Sequence, residues 1–134
     1  MVVDDEYDIT LTFKIGLEDN GFIVDSFTDP ALALSNFKAG LYDVVILDIK
    51  MPKINGFELW RQMKLIDNTS NICFMTAFDT RKGDLNGDSI LFNKNKYNDN
   101  NENHPHIIQK PVTLNELIRQ VNAVKYKSKN SSII

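Results

Sequence analysis

The stretch VVILDIKMPKINGFEL, residues 44–59, joins an apolar run to an acid, a proline and a glycine. The apolar run is short and rich in β-branched side chains, which predicts a strand buried on both faces, as in a parallel sheet covered by helices. Pro52 and Gly56 indicate a loop, and the apolar spacing from Phe57 onward predicts a helix. Asp48 is therefore expected at the carboxyl end of this strand, where open α/β sheets bind their ligands.

Three further apolar runs also end on polar side chains. MVVDDE ends on Asp4 and Asp5, NICFMTAF contains Thr76, and HIIQKPV contains Lys110. Each residue alone has an ordinary structural explanation, because acids stabilise turns, threonine caps helices and a lysine before a proline can lie in a solvated loop. In a doubly wound sheet, however, the carboxyl ends of the strands converge on one crevice. We therefore expect these side chains to meet there.

The rest of the chain alternates predicted strands and helices, as a parallel sheet with right-handed crossovers requires. The predicted fold is thus α/β, a doubly wound five-stranded parallel sheet. The predicted strands are residues 2–3, 22–27, 44–47, 72–76 and 107–109, and the predicted helices are residues 10–19, 31–38, one from residue 57 and a last one carrying an apolar stripe over residues 114–124.

Length and composition are those of one globular domain. A chain of 134 residues can bury most of its apolar surface without disulfides or structural metal ions. Its formal net charge of −3 does not indicate the basic surface that nucleic acid binding requires. We find no apolar stretch near the ~18 residues of a membrane span and no signal peptide, so a cytoplasmic protein without membrane insertion is expected. Cys73 is the only cysteine and lies in an apolar run, which predicts a buried thiol.

An acid pair, a single acid, a threonine and a lysine before a proline, in this chain order, resemble the receiver domain of two-component response regulators. The resemblance covers nearly the whole chain. It implies a flavodoxin-like sheet of order 2-1-3-4-5 within a receiver domain of residues 1–126, followed by a polar tail of residues 127–134.

Three crowded carboxylates repel one another, each pair by roughly 4 kcal/mol at about 4 Å, and a hard divalent cation such as Mg²⁺ removes this repulsion. The resemblance implies that Asp4, Asp5, Asp48 and the backbone carbonyl of Lys50 bind Mg²⁺. It also implies that Asp48 is the nucleophile that accepts a phosphoryl group.

The resemblance gives the remaining site residues their roles. Thr76 would donate its hydroxyl to the phosphoryl oxygens, and Lys110 would supply a positive charge to them. In this family Pro111 follows a cis peptide bond that aims the lysine inward.

The implied function is that of a single-domain response regulator in a phosphorelay. It would take phosphoryl from a sensor histidine kinase or a histidine phosphotransfer protein, and its output would be contacts with a downstream protein rather than with DNA. A homodimer is compatible with this role. The chain would be a phosphoacceptor that assists its own phosphorylation and dephosphorylation, not an enzyme acting on a separate substrate.

Three features depart from the family pattern. The first strand has few residues ahead of the acid pair, so either the start is assigned late or the sheet tolerates a short strand. Between Thr76 and Lys110 lie 33 residues (110 − 76 − 1), whereas a crossover with its helix needs only about 10 to 12. We therefore expect an asparagine-rich insertion at about residues 83–106, with the helix between the fourth and fifth strands shortened or replaced. The switch position, usually aromatic, is Ile107.

Two alternatives to phosphorelay signalling stay open. A pseudo-receiver would use the same fold for contacts that need no phosphorylation, and the insertion favours this reading. A phosphatase or phosphotransferase of the haloacid dehalogenase type also places an acid after an apolar strand, but it needs a second acid where this chain has Lys50.

Overall fold

The computed structural model of the protein describes residues 1–77 and 106–130, the last four of these by their backbone alone. Strands and helices alternate along residues 1–77, and residues 106–130 add one strand and one helix. The strands are β1 (Val2–Val3), β2 (Ser26–Phe27), β3 (Val44–Asp48), β4 (Asn71–Thr76) and β5 (His106–Gln109), and the helices are α1 (Tyr7–Glu18), α2 (Pro30–Asn36), α3 (Gly56–Ile66) and α4 (Leu114–Asn130).

The five strands form one sheet in the order β2-β1-β3-β4-β5, and every neighbouring pair is parallel. This confirms the predicted α/β fold and its strand order. In the centre, Ile46 of β3 lies opposite Val2 of β1 on one side and Cys73 of β4 on the other. The carboxyl ends of β1, β3, β4 and β5 therefore reach the same edge of the sheet.

The two faces of the sheet bury separate apolar cores. Successive strand residues point to opposite faces, so Val2 and Ile46 pack with α1 and α4, whereas Val3 and Leu47 pack with α2 and α3. Burial on both faces explains why the central strands consist of continuous apolar runs rather than alternating ones. Cys73 is buried in the first of these cores, as predicted. Burial raises the pKa of its thiol to about 12.

Several element boundaries differ from the predicted ones. The second strand was predicted over residues 22–27, but β2 comprises only Ser26–Phe27. Among the residues that the structure describes, β2 pairs only with β1, which is itself two residues long, so the residues ahead of Ser26 have no described strand to pair with. The last helix continues to Asn130, into the segment predicted as a tail.

The predicted insertion lies outside the described residues, except for His106, which begins β5. The prediction of a shortened or replaced helix between β4 and β5 falls on the same segment. Within the described part of the chain, no helix is long and apolar enough to cross a membrane.

Candidate functional site

Three acids meet at the carboxyl edge of the sheet, where β1 and β3 end. Asp4 directly follows β1, and Asp48 is the last residue of β3. One carboxylate oxygen from each of Asp4, Asp5 and Asp48 lies within 4.8 Å of the other two. Asp4 and Asp48 are buried, with 0% and 5% of their surface exposed, whereas Asp5 is exposed. The structure thus brings the predicted acids together, with Asp5 on the solvent side.

Lys110 reaches into this cluster from the end of β5. Its Nζ donates to Asp4 Oδ2 at 2.8 Å and lies 3.4 Å from Asp48 Oδ1. Its backbone N–H donates to the Thr76 carbonyl at 2.8 Å, and its bond to Pro111 is cis, as expected. The ammonium is therefore fixed between two of the three acids.

The electrostatics of the cluster follow from burial and charge. Burial and the neighbouring Asp4 carboxylate raise the pKa of Asp48 to about 6, against the opposing effect of Lys110. Burial by itself would lower the pKa of Lys110, but its bonds to Asp4 and Asp48 outweigh burial, and its pKa is raised. The ammonium therefore stays charged at neutral pH.

The donor set fits a hard divalent cation. Three ionised carboxylates and one ammonium carry a net charge of −2 (−3 + 1), which a divalent cation balances. Carboxylate oxygens are also the ligands that Mg²⁺ prefers, and the exposed Asp5 leaves one side of the cluster open to the waters that Mg²⁺ retains.

The other predicted site residues lie on β4, on β5 and in the loop after β3. Thr76 ends β4 and is buried, with 1% of its surface exposed. Lys50, whose carbonyl was predicted as a ligand, lies exposed in the loop after β3. Ile107, the predicted switch position, is half-buried in β5 opposite Phe74 of β4.

The loop after Asp48 is shaped by a close backbone approach that sequence reasoning missed. A side chain at Gly56 would overlap the Asp48 carbonyl oxygen, and the Gly56 N–H donates to the Ile49 carbonyl at 2.8 Å. Asn55 caps α3 by accepting from the Glu58 N–H at 2.9 Å. The only signal was the Asn-Gly pair ahead of a helical pattern, which indicates a helix start but not this contact.

Gln109 is a second residue that the sequence did not single out. Its side-chain amide donates to the Thr76 carbonyl and to the Lys110 carbonyl, each at 3.2 Å. It therefore ties the end of β4 to the end of β5, which are the two strand ends that carry Thr76 and Lys110.

A family model described as the response regulator receiver domain matches residues 1–86 of the chain. Among curated proteins, the chain is 34% identical to the transcriptional regulatory protein PrrA of Mycobacterium leprae over 77 residues, which are 58% of this chain and 33% of that protein. It is 28% identical to the transcriptional regulatory protein DltR of Streptococcus agalactiae over 134 residues, which are 100% of this chain and 53% of that protein. The chain thus spans about a third to a half of the length of these relatives.

Among solved structures, the fold is similar to that of a CheY-like response regulator receiver domain protein from Methanospirillum hungatei. The TM-score is 0.79 at 19% identity, with 98% of this chain and 95% of that one covered. At this identity, the likeness supports the fold alone.

Proposed function

Because this chain belongs to the response regulator receiver domain family of two-component systems, we propose that Asp48 accepts a phosphoryl group from a phosphohistidine donor. The observation that carries the proposal is the position of Asp48. It ends a central strand, is 5% exposed, and lies beside two further carboxylates and 3.4 Å from the Lys110 ammonium. A carboxylate in this position has both negative and positive groups beside it.

The chemistry is an in-line displacement at phosphorus. A carboxylate oxygen of Asp48 forms a bond to phosphorus while the bond from phosphorus to the donor's imidazole nitrogen breaks, giving an acyl phosphate and a free histidine. With a pKa of about 6, Asp48 is largely ionised at pH 7.5 and so is available as the nucleophile. Lys110 stabilises the charge on the phosphoryl oxygens, and Thr76 donates its hydroxyl to one of them.

In this proposal Asp4, Asp5 and Asp48, with the backbone carbonyl of Lys50, hold Mg²⁺. When bound, the ion neutralises negative charge on the carboxylates and on the incoming phosphoryl group. Lys110, whose Nζ contacts both Asp4 and Asp48, serves the same purpose with its own positive charge. Positioning and charge stabilisation account for most of the catalysis in this class of reaction.

The donor in this proposal is a sensor histidine kinase or a histidine phosphotransfer protein, and the chain acts as the receiver of a cytoplasmic response regulator. Its output is a changed affinity for a downstream protein, with homodimer formation as one form of such contact. The net charge of −3 favours a protein partner over direct nucleic acid binding. The chain is a phosphoacceptor and not an enzyme with a separate substrate.

The test is the intact mass of the protein after incubation with acetyl phosphate, with and without Mg²⁺. We expect one phosphoryl adduct that requires Mg²⁺ and is lost in Asp48→Asn. Asp19→Asn, which removes an exposed acid at the end of α1, is the matched control and should keep the adduct. A folded wild-type protein that never acquires the adduct would contradict the proposal and favour a phosphorylation-independent interaction module.

A further inference from the structure

The ladder between β4 and β5 ends beside the acid cluster, and one side chain bonds to both strand ends there. Thr76 and Gln109 are the last residue pair of this ladder. The Gln109 Nε2 donates to the Thr76 carbonyl and to the Lys110 carbonyl, each at 3.2 Å. Both partners can only accept, so the NH₂ group of the amide must face them and its oxygen must face away.

The Thr76 carbonyl is held from two directions. It accepts from the Lys110 backbone N–H at 2.8 Å and from Gln109 Nε2 at 3.2 Å. A carbonyl oxygen has two lone pairs, and these two donors use both of them. The orientation of the peptide group that follows Thr76 is therefore fixed by β5, through one main-chain bond and one side-chain bond.

This constraint on the backbone extends to the Thr76 hydroxyl. Threonine is β-branched, so its side chain has few allowed rotamers for a given backbone conformation. Thr76 is also 1% exposed, and close packing restricts its rotation further. The hydroxyl consequently moves with its backbone, and its position depends on how the ends of β4 and β5 are joined.

The Lys110 ammonium has anchors of its own. Its Nζ lies 2.8 Å from Asp4 Oδ2 and 3.4 Å from Asp48 Oδ1. The bonds from Gln109 act instead on the backbone that joins the two strand ends. Removing them should shift the Thr76 hydroxyl relative to the ammonium and leave the ammonium in the acid cluster.

We propose that Gln109 is a positioning residue for phosphoryl transfer, and that it acts by fixing the Thr76 hydroxyl relative to the Lys110 ammonium. This inference rests on the proposed function, which assigns those two groups to the phosphoryl oxygens. The Gln109 amide bonds to backbone carbonyls, so its effect on the reaction passes through Thr76. Because Gln109 is exposed, water competes for these bonds, and the effect is smaller than that of removing the hydroxyl itself.

The experiment measures the rate of phosphorylation by acetyl phosphate in wild type, Gln109→Met, Thr76→Val and the double variant. Methionine keeps the length of the side chain and removes the donor, and valine keeps the branched shape and removes the hydroxyl. We expect Gln109→Met to slow the reaction about threefold by itself and to cause no further slowing in the Thr76→Val background. Gln62→Met, the same substitution within α3, is the matched control and should keep the wild-type rate.

Two further measurements separate positioning from a general loss of structure. The Tm of Gln109→Met should stay within about 2 °C of the wild-type value, because the lost bonds are exposed. The Mg²⁺ concentration that gives half of the Mg²⁺-dependent rise in Tm should be unchanged, because the described bonds of Gln109 go to backbone carbonyls and not to the acids. A fall in both Tm and Mg²⁺ affinity would show a structural role only and would overturn the inference.

The rates distinguish this inference from the proposed function. An unchanged rate for Gln109→Met, or a slowing that persists in the Thr76→Val background, would overturn the inference and leave phosphoryl transfer to Asp48 intact. A wild-type protein that acquires no phosphoryl adduct would overturn both. A slowing that disappears in the Thr76→Val background, at unchanged Mg²⁺ affinity, supports the inference.

Discussion

Replacing Asp48 with asparagine is expected to stabilise the metal-free protein at neutral and alkaline pH. Burial and the Asp4 carboxylate raise the pKa of Asp48 from its ordinary value of 3.8 to about 6. A carboxyl group with a raised pKa in the folded chain contributes stability that is fully present below the unfolded pKa and is lost as the pH rises through the folded one. The substituted asparagine shows no such loss, because its amide stays neutral over this pH range.

The size of the effect follows from the pKa difference. A difference of about 2 corresponds to roughly 3 kcal/mol, at about 1.4 kcal/mol for each tenfold change in proton affinity. Asp48 is 5% exposed, so solvent screening reduces this value only in part. We compare the free energy of unfolding of Asp48→Asn with that of wild type at each pH. The difference, variant minus wild type, should be about 2 kcal/mol larger at pH 8 than near pH 4.

Urea unfolding in EDTA, followed by circular dichroism from pH 4 to pH 8, measures this difference. The stability curves of wild type and Asp48→Asn should separate between pH 4 and about pH 6.5 and then run parallel. Asp19→Asn controls for the loss of an exposed negative charge and should follow the wild-type curve. The reasoning would be refuted if the curves of wild type and Asp48→Asn were parallel over the whole pH range. It would also be refuted if the variant lost stability relative to wild type between pH 4 and pH 8.

Three further predictions concern the residues around Asp48. Mg²⁺ should raise the Tm of the wild type in a concentration-dependent way, and Asp5→Asn should weaken that rise, measured by differential scanning fluorimetry with NaCl at equal ionic strength as the control. Gly56→Ala should destabilise the fold by about 3 kcal/mol, because the new Cβ would overlap the Asp48 carbonyl oxygen. In the control Gly40→Ala the new Cβ meets no atom, and the variant should cost only about 1 kcal/mol because Gly40 has a positive φ. The midpoints of urea unfolding compare the two variants. Thr76→Val should slow phosphorylation by acetyl phosphate about tenfold, the equivalent of one hydrogen bond, while Thr76→Ser keeps the rate; equal rates for both variants would contradict the hydroxyl's role.

The central strands and their polar ends were predictable because a strand that is buried on both faces has apolar residues at every position. A run such as residues 44–47 has no polar position, and the first residue that breaks it, Asp48, marks the strand end. The convergence of Asp4, Asp48 and Lys110 followed from the topology alone, since parallel strands end at one edge.

What escaped prediction depends on partners that are distant in the chain. The length of β2 is set by the short β1 beside it, not by the apolar pattern of residues 22–27. The contact of Gly56 with the Asp48 carbonyl depends on the path of a loop, and the bonds of Gln109 depend on the spacing of two strand ends. Neither leaves a periodic signal, because each involves a single side chain or a missing one.

The bond between Lys110 and Asp4 makes the lysine the internal counterion of the acid cluster. Its Nζ is closer to Asp4, at 2.8 Å, than to Asp48, at 3.4 Å, so part of the carboxylate charge is already balanced by the protein itself. A cation that enters from the Asp5 side therefore meets a cluster with a net charge of −2 instead of −3. An ion of charge +2 leaves this cluster neutral, whereas it would leave three unpaired carboxylates with a residual charge of −1.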